Sequence, residues 1–184
     1  MMTARVDTER TTPPFRADHV GSLLRPAALK RAREAHKRGD ITAAQLRAAE
    51  DEAIRGVVKL QEDVGLQSIT DGELRRGSWH MDFLYQIGGV TRVQDNLKVQ
   101  FHNEKGGIEF TPSALRVTEP LHYEKCIFGE DFTFLKSVTR GTPKLTIPSP
   151  SMIHYRGGKS IIDPAVYPDL NAFWADLKSV YAQE

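Results

Sequence analysis

Two carboxylates separated by a single glycine, Asp71-Gly72-Glu73, follow directly on the apolar run 66–70. An expected strand thus feeds straight into an acidic turn, and in α/β proteins the C-terminal end of a strand is where chemistry is usually placed. Glycine between the two acids lets the backbone turn sharply and brings both side chains to the mouth of the sheet. The competing reading is a solvated Asp-Gly turn. A second polar cluster, Asp18-His19-Val20-Gly21-Ser22, stands at the end of another expected strand, residues 15–20, and tips the balance towards a site.

The elements that must position these clusters are legible in the pattern around them. Residues 1–14 are polar, with threonines and prolines, and read as a flexible lead-in. After the strand at 15–20 and the Gly21-Ser22 turn, Pro26 suits the first turn of a basic helix through Leu29, Ala32 and Ala35, with Gly39 as its stop. Thr42 predicts an N-cap with Gln45 reciprocating three residues on, and Ile41 can staple against Leu46. Leu46, Ala49, Ala53, Ile54, Val57, Leu60 and Val64 then recur at helical spacing until Gly65. The strand 66–70 follows at once, so the order is strand, helices, strand, as in a parallel sheet covered on both faces. Gly88-Gly89 and Gly106-Gly107 mark out a β-hairpin excursion over about residues 90–118, long enough to form a flap. Residues 130–139 predict a helix with Phe132, Leu135 and Val138 on one face, and 144–147 a third parallel strand ending at Pro148-Ser149-Pro150-Ser151. A last helix over roughly 170–181 places Phe173, Trp174, Leu177 and Val180 on its apolar side.

Three parallel strand and helix units with an unpaired edge fall short of a closed eight-unit barrel, which takes about 250 residues. The fold class expected is α/β: a partial TIM (β/α)8 barrel of about three parallel strand-helix units with a β-hairpin excursion, over residues 15–184. The composition, 40% hydrophobic and 27% charged, suits a soluble globular domain. Twenty-five Lys and Arg against 24 Asp and Glu leave a net charge of +1, with no long-range field for nucleic acid or an anionic membrane surface. The single Cys126 excludes an intrachain disulfide and, by itself, a cysteine-rich structural zinc site. With no signal-peptide pattern, and no apolar run near the roughly 20 residues of a membrane span, the expected location is cytoplasmic.

Taken with Thr146-Ile147-Pro148-Ser149-Pro150-Ser151-Met152 after the third expected strand, the clusters at 18–22 and 71–73 resemble the cobalamin-independent methionine synthase family. The likeness is greatest to its short single-barrel members and runs over residues 15–181. It implies the amino-terminal part of a catalytic barrel that transfers a methyl group from 5-methyltetrahydrofolate, in its polyglutamate form, to the thiol of homocysteine in methionine biosynthesis. Carried over by position, the Val20-Gly21-Ser22 turn would hold the amino-acid carboxylate through backbone N–H groups, and Glu73 would pair with its ammonium. Asp18, His19 and Asp71 would orient the site. A Gly-Ser turn opening towards a helix presents donors to an anion, and a carboxylate shielded from water binds a cation more strongly than an exposed one. The competing reading of Gly21-Ser22 is a plain helix entry. On the folate side, Arg116-Val117 falls where the family tends to place an Arg-Cys pair, so Arg116 would meet the glutamate tail, although the Cys is absent here. Tyr155 falls where longer members have a Trp against the pterin ring, and an aromatic face there can stack. Structural roles are the alternative for both.

The family's zinc is held by a His, two Cys and a Glu from later strands, and the resemblance puts those ligands outside the stretch matched here. Zinc would act as a Lewis acid that lowers the thiol pKa. Cys126 matches none of the ligands, and the six histidines show no ligand pair at helical spacing. His19, alone at a strand end, reads as a hydrogen-bonding residue, His36 as solvent-facing on the first helix, and His80, His102, His122 and His154 as surface or loop residues. Two other functions stay open beside a methyltransferase incomplete for catalysis alone. One is an alkyl transferase acting on another thiol such as coenzyme M. The other is a non-catalytic partial-barrel module whose open sheet edge is closed by self-association or by a partner chain. A truncated product with no independent function is a third possibility. Glu73 discriminates between acceptors, since an amino acid needs a partner for its ammonium and a sulfonate thiol does not.

Overall fold

Local chemistry decides where the helices begin and end. In chain order the elements are α1 (Ala27–Arg38), α2 (Ala43–Asp63), β1 (Ser68–Ile69), α3 (Met81–Leu84), β2 (Gly88–Gln94), β3 (Val99–Asn103), β4 (Gly106–Phe110), β5 (Ser113–His122), α4 (Gly129–Val138), β6 (Thr142–Pro143) and α5 (Leu170–Gln183). The computed structural model describes residues 12–13, 17–94, 99–103, 106–110, 113–155 and 157–184. Most of the lead-in read over 1–14, together with Phe15 and Arg16 of the expected first strand, lies outside the described residues. The chain forms two compact units, residues 1–75 with 130–146 and residues 76–129 with 147–184.

In the first unit, Pro26 precedes α1, and Gly39, at φ 83°, ends it by donating its N–H to the carbonyls of Ala35 and His36. His36, Lys37 and Arg38 occupy the last turn, where positive charge meets the negative end of the helix dipole. The capping box at α2 is complete: the Gln45 N–H donates to Thr42 Oγ1 at 3.2 Å, and the Thr42 N–H donates to Gln45 Oε1 at 2.8 Å. Such a cap contributes about 1 kcal/mol. The apolar stripe then does its work, since Ile54, Val57 and Val58 of α2 pack with Leu29 of α1, Ile69 of β1, Leu135 of α4 and Leu74 into one buried cluster. Each such side chain removed from water contributes about 1.5–3 kcal/mol.

β1 pairs parallel with β6, Ser68 opposite Thr142 and Ile69 opposite Pro143. Two expectations are corrected here. The strand read over 15–20 is not one over its described part, residues 17–20, because Val20 is 81% exposed and the segment has no strand partner. The third strand, expected at 144–147, pairs two residues earlier. The Thr142 N–H donates to Gln67 O and the Lys144 N–H to Ile69 O, both at 2.8 Å. Pro143, between them, has its ring nitrogen turned away from β1, so the missing donor breaks no ladder bond. Among the described residues the parallel sheet thus has two strands, not three strand-helix units.

The second unit is built on antiparallel pairs. β2 pairs with β5 and β3 with β4, the second pair nested in sequence inside the first. Tyr85 Oη donates to Ala114 O at 2.9 Å beside this ladder. Asp169 caps α5 by accepting from the Asn171 N–H, and Phe173, Leu177 and Val180 form the buried stripe of that helix. Tyr167 Oη accepts from the Leu121 N–H and donates to Asp176 Oδ2, both at 2.6 Å. Burial, followed by the bond to Asp176, pushes its phenol up to about 12. The α3 helix and two single turns of 3₁₀ helix, Pro150–Ile153 and Gly158–Ile161, are too short for periodicity to reveal. No helix of the described residues is long and apolar enough to cross a membrane.

Candidate functional site

β1 delivers the chain into the acidic turn in the first unit, and the turn is closed from within. The Gly72 N–H donates to Thr70 Oγ1 at 3.2 Å and the Glu73 N–H to Asp71 Oδ1 at 2.8 Å. Thr70, Asp71 and Glu73 are all buried. Gly72 has φ 69° and Glu73 φ 55°, the one non-glycine at positive φ among the described residues. A side chain in that conformation costs about 1–2 kcal/mol, and such strain persists only where its surroundings impose it. Two constraints are visible: Arg25 Nη2 donates to Glu73 O at 3.1 Å, and Thr146 Oγ1 donates to Glu73 Oε1 at 2.9 Å. Thr146 lies just past β6, so both strands of the parallel pair feed the same carboxylate.

The 18–22 turn meets the acidic turn at Gly21. Thr70 Oγ1 donates to Gly21 O at 2.8 Å, and the Leu23 N–H donates to Gly72 O at 3.0 Å. Gly21 is buried at φ 153°, and a Cβ there would stand 2.8 Å from Thr146 Oγ1 and 3.6 Å from Glu73 Oε1. Only glycine permits this approach. Among the described residues, the N–H groups of Val20, Gly21 and Ser22 donate to no group of the chain. Val20 and Ser22 are exposed.

Asp18 and His19 are held from two sides. Lys144 Nζ donates to Asp18 Oδ1 at 2.6 Å and also to His19 O. The lysine, then the His19 N–H, hold the Asp18 carboxyl below the usual carboxylate range. His19 Nε2 lies 2.9 Å from Gln61 Oε1. Gln61 is buried on α2 and also grips the end of β1, accepting from the Thr70 N–H at 2.9 Å and donating to Thr70 O at 2.8 Å and Val57 O at 2.9 Å.

Behind the turn lies an ionic network. The Arg75 side chain is only 5% exposed, with Nη2 2.7 Å from Asp51 Oδ1, Nε 3.0 Å from Asp131 Oδ1 and Nη1 3.6 Å from Glu50 Oε2. Its guanidinium lies 4.9 Å from the ring centre of Phe134. Burial raises the Glu50 carboxyl, against the opposing pull of Arg33, Arg75 and Arg47.

All seven residues read as the amino-acid site, Asp18, His19, Val20, Gly21, Ser22, Asp71 and Glu73, fall in the first unit, in two turns bonded to each other. Gln61, Thr70, Arg25, Lys144 and Thr146 were not singled out as site residues in the sequence. For Gln61 a signal existed: a polar residue one turn after Val57, on the apolar stripe of α2. Arg116 and Tyr155 belong to the second unit, where both are exposed; Arg116 Nη2 reaches Ser160 O at 3.4 Å. Cys126 is exposed, and His36 hydrogen-bonds Ile41 O from the surface of α1. His102 sits in β3.

The zinc implied by the family resemblance does not fit these residues. Among the described residues no three His, Cys, Asp or Glu side chains gather as a ligand set, and the Nε2 of His19 is engaged by Gln61.

No protein-family profile matches the chain. It is similar to YxjG of Bacillus subtilis (strain 168), itself uncharacterized, at 42% identity over 150 residues, 81% of this chain and 39% of that protein. A 5-methyltetrahydropteroyltriglutamate–homocysteine methyltransferase of Thermosynechococcus vestitus is 38% identical over 79 residues, 43% of this chain and 10% of the methyltransferase. Among solved structures, a Listeria monocytogenes protein provisionally named a vitamin-B12-independent methionine synthase is 38% identical with a TM-score of 0.74, over 95% of this chain and 48% of its own. The chain spans less than half the length of each of these proteins.

Proposed function

We propose that this chain, a short, partial-length member of the cobalamin-independent methionine synthase family, binds the amino-acid end of homocysteine between its 18–22 turn and Glu73. In doing so it serves methyl transfer from 5-methyltetrahydrofolate to the homocysteine thiol. The observation that carries this reading is the seating of Gly21 against Thr146 and Glu73, which sets unengaged backbone N–H groups beside a buried carboxylate. The N–H groups of Val20, Gly21 and Ser22 suit a carboxylate, and Glu73 suits an ammonium, with the charge-assisted bonds strengthened by exclusion of water. Asp71 holds the turn through the Glu73 N–H, while Asp18 and His19 fix the opposite wall through Lys144 and Gln61.

The chain's own contribution is to bind and orient the acceptor. The methyl transfer itself belongs to a complete barrel, in which β1 and β6 would be neighbouring strands, and no step of it is assigned to residues described here. In the second unit, Arg116 is the proposed contact for the glutamate tail of the folate and Tyr155 for the pterin face. The single cysteine suits a reducing, cytoplasmic setting.

Isothermal titration of the chain with L-homocysteine and, separately, with coenzyme M tests the reading. Saturable homocysteine binding that is weakened in Glu73→Gln supports it. Equal binding of coenzyme M, unaffected by that substitution, would refute it in favour of a sulfonate thiol.

A further inference from the structure

The amide of Gln61 has its two ends fixed. Its Nε2 faces two backbone carbonyls, Val57 O at 2.9 Å and Thr70 O at 2.8 Å, which only accept, while its Oε1 faces the Thr70 N–H at 2.9 Å, which only donates. A flipped amide would set N–H against N–H and oxygen against oxygen, so Oε1 is the acceptor on the His19 side as well. The His19 nitrogen 2.9 Å away, Nε2, must therefore carry the proton. In neutral imidazole the other nitrogen, Nδ1, is then a bare acceptor. Nδ1 is buried and meets no donor among the described residues. A buried acceptor left unmet is unfavourable, and a donor arriving with a ligand would recover that loss.

We propose that Gln61 is a positioning residue that locks His19 as its Nε2–H tautomer, and that His19 Nδ1 accepts a hydrogen bond from the ammonium of the bound amino acid. The proposal rests on the amino-acid site described above and extends it. An ammonium carries three N–H donors, and Glu73 leaves at least one of them for a second acceptor. His19 stands two residues before Gly21, in the turn that closes on Glu73, so a neutral acceptor there adds recognition without adding charge.

Two isosteric variants separate this role from a structural one. Asn offers an oxygen where His has Nδ1, and Gln offers an N–H where His has Nε2. His19→Gln keeps the bond to Gln61 and loses the Nδ1 acceptor; His19→Asn does the reverse. Titration with L-homocysteine should show affinity about tenfold weaker in His19→Gln, the equivalent of one hydrogen bond to a charged donor, with His19→Asn retaining more of it. Long-range ¹H–¹⁵N NMR on the histidine-labelled, unaltered chain should show His19 protonated at Nε2 and bare at Nδ1, with Nδ1 responding to homocysteine. A proton found on Nδ1, or undiminished binding by His19→Gln, overturns the proposal while leaving the amino-acid site standing. Absence of homocysteine binding by the unaltered chain overturns both.

Discussion

Replacing Arg75 by methionine should cost about 3 kcal/mol of stability. The guanidinium is buried among Glu50, Asp51 and Asp131, and methionine keeps much of its apolar bulk while removing the charge. Removing one partner of a buried pair costs about 3–5 kcal/mol because the other is left uncompensated. The lower end applies here: Arg47 stays 2.7 Å from Asp131 and Arg33 stays 3.5 Å from Glu50. Glu50 adds a pH signature. Its carboxyl is already raised by burial, and loss of the Arg75 charge raises it further. A carboxyl whose pKa is higher folded than unfolded takes up a proton on folding, so its protonation favours the fold, and that contribution fades as pH rises through the folded value. The deficit of Arg75→Met should therefore be largest at pH 7 and shrink on acidification. Urea unfolding followed by circular dichroism at pH 7 and pH 5 measures both effects, with a midpoint lower by roughly 1–3 M at pH 7 and an unchanged slope. A loss under about 1 kcal/mol at pH 7, or a deficit that grows as pH falls, would show that the network is not the buried electrostatic unit its distances describe.

Further expectations concern the site and the two units separately. Glu73→Gln should weaken homocysteine binding by about 2–3 kcal/mol in titration calorimetry, since a charge-assisted bond becomes a neutral one. Gly21→Ala should lose about 1–3 kcal/mol in chemical denaturation, because its methyl group would meet Thr146 Oγ1 at 2.8 Å; unchanged stability would mean that the two turns separate readily. Lys144→Ala should let the Asp18 carboxyl rise, as the lysine that chiefly holds it down is gone, and ¹³C NMR across the acid range should find the midpoint shifted upward. The Tyr167 phenol, raised to about 12, should stay protonated at pH 11, and stability should fall as pH climbs from 10 to about 12. Tyr167→Phe should flatten that alkaline decline.

Local chemistry made the helices legible. Thr42 and Gln45 announce the capping box, and the Ile54, Val57 stripe predicts the buried face of α2, because both depend on neighbours within one turn. Over its described part, 17–20, the strand expected at 15–20 failed for the complementary reason: a few apolar residues resemble a strand, but pairing is decided by distant partners, and Val20 faces solvent. The third strand was offset in the other direction. The strand expected from residue 144 pairs from Thr142, and in the register observed the Pro143 nitrogen faces away from β1. At the site, the two acidic and polar clusters stood out by composition, while the groups that join them did not. Gln61 reaches His19 across 42 positions, and Thr146 reaches Glu73 across 73. Such contacts leave no spacing to read.

The left-handed backbone of Glu73 sets selection for function against selection for stability. Glycine would adopt φ 55° without the backbone cost of about 1–2 kcal/mol that glutamate bears, but it would also give up the bond that the carboxylate accepts from Thr146 Oγ1. Glu73→Gly should therefore cost less stability than the loss of its contacts alone would predict, even though it can no longer meet an ammonium. Random mutagenesis screened only for folding should tolerate glycine at this position, whereas a screen that also demands ligand binding should return it to glutamate. Few positions in a chain separate those two demands so cleanly, and proteins held near a stability threshold keep such residues only while the activity they serve is needed.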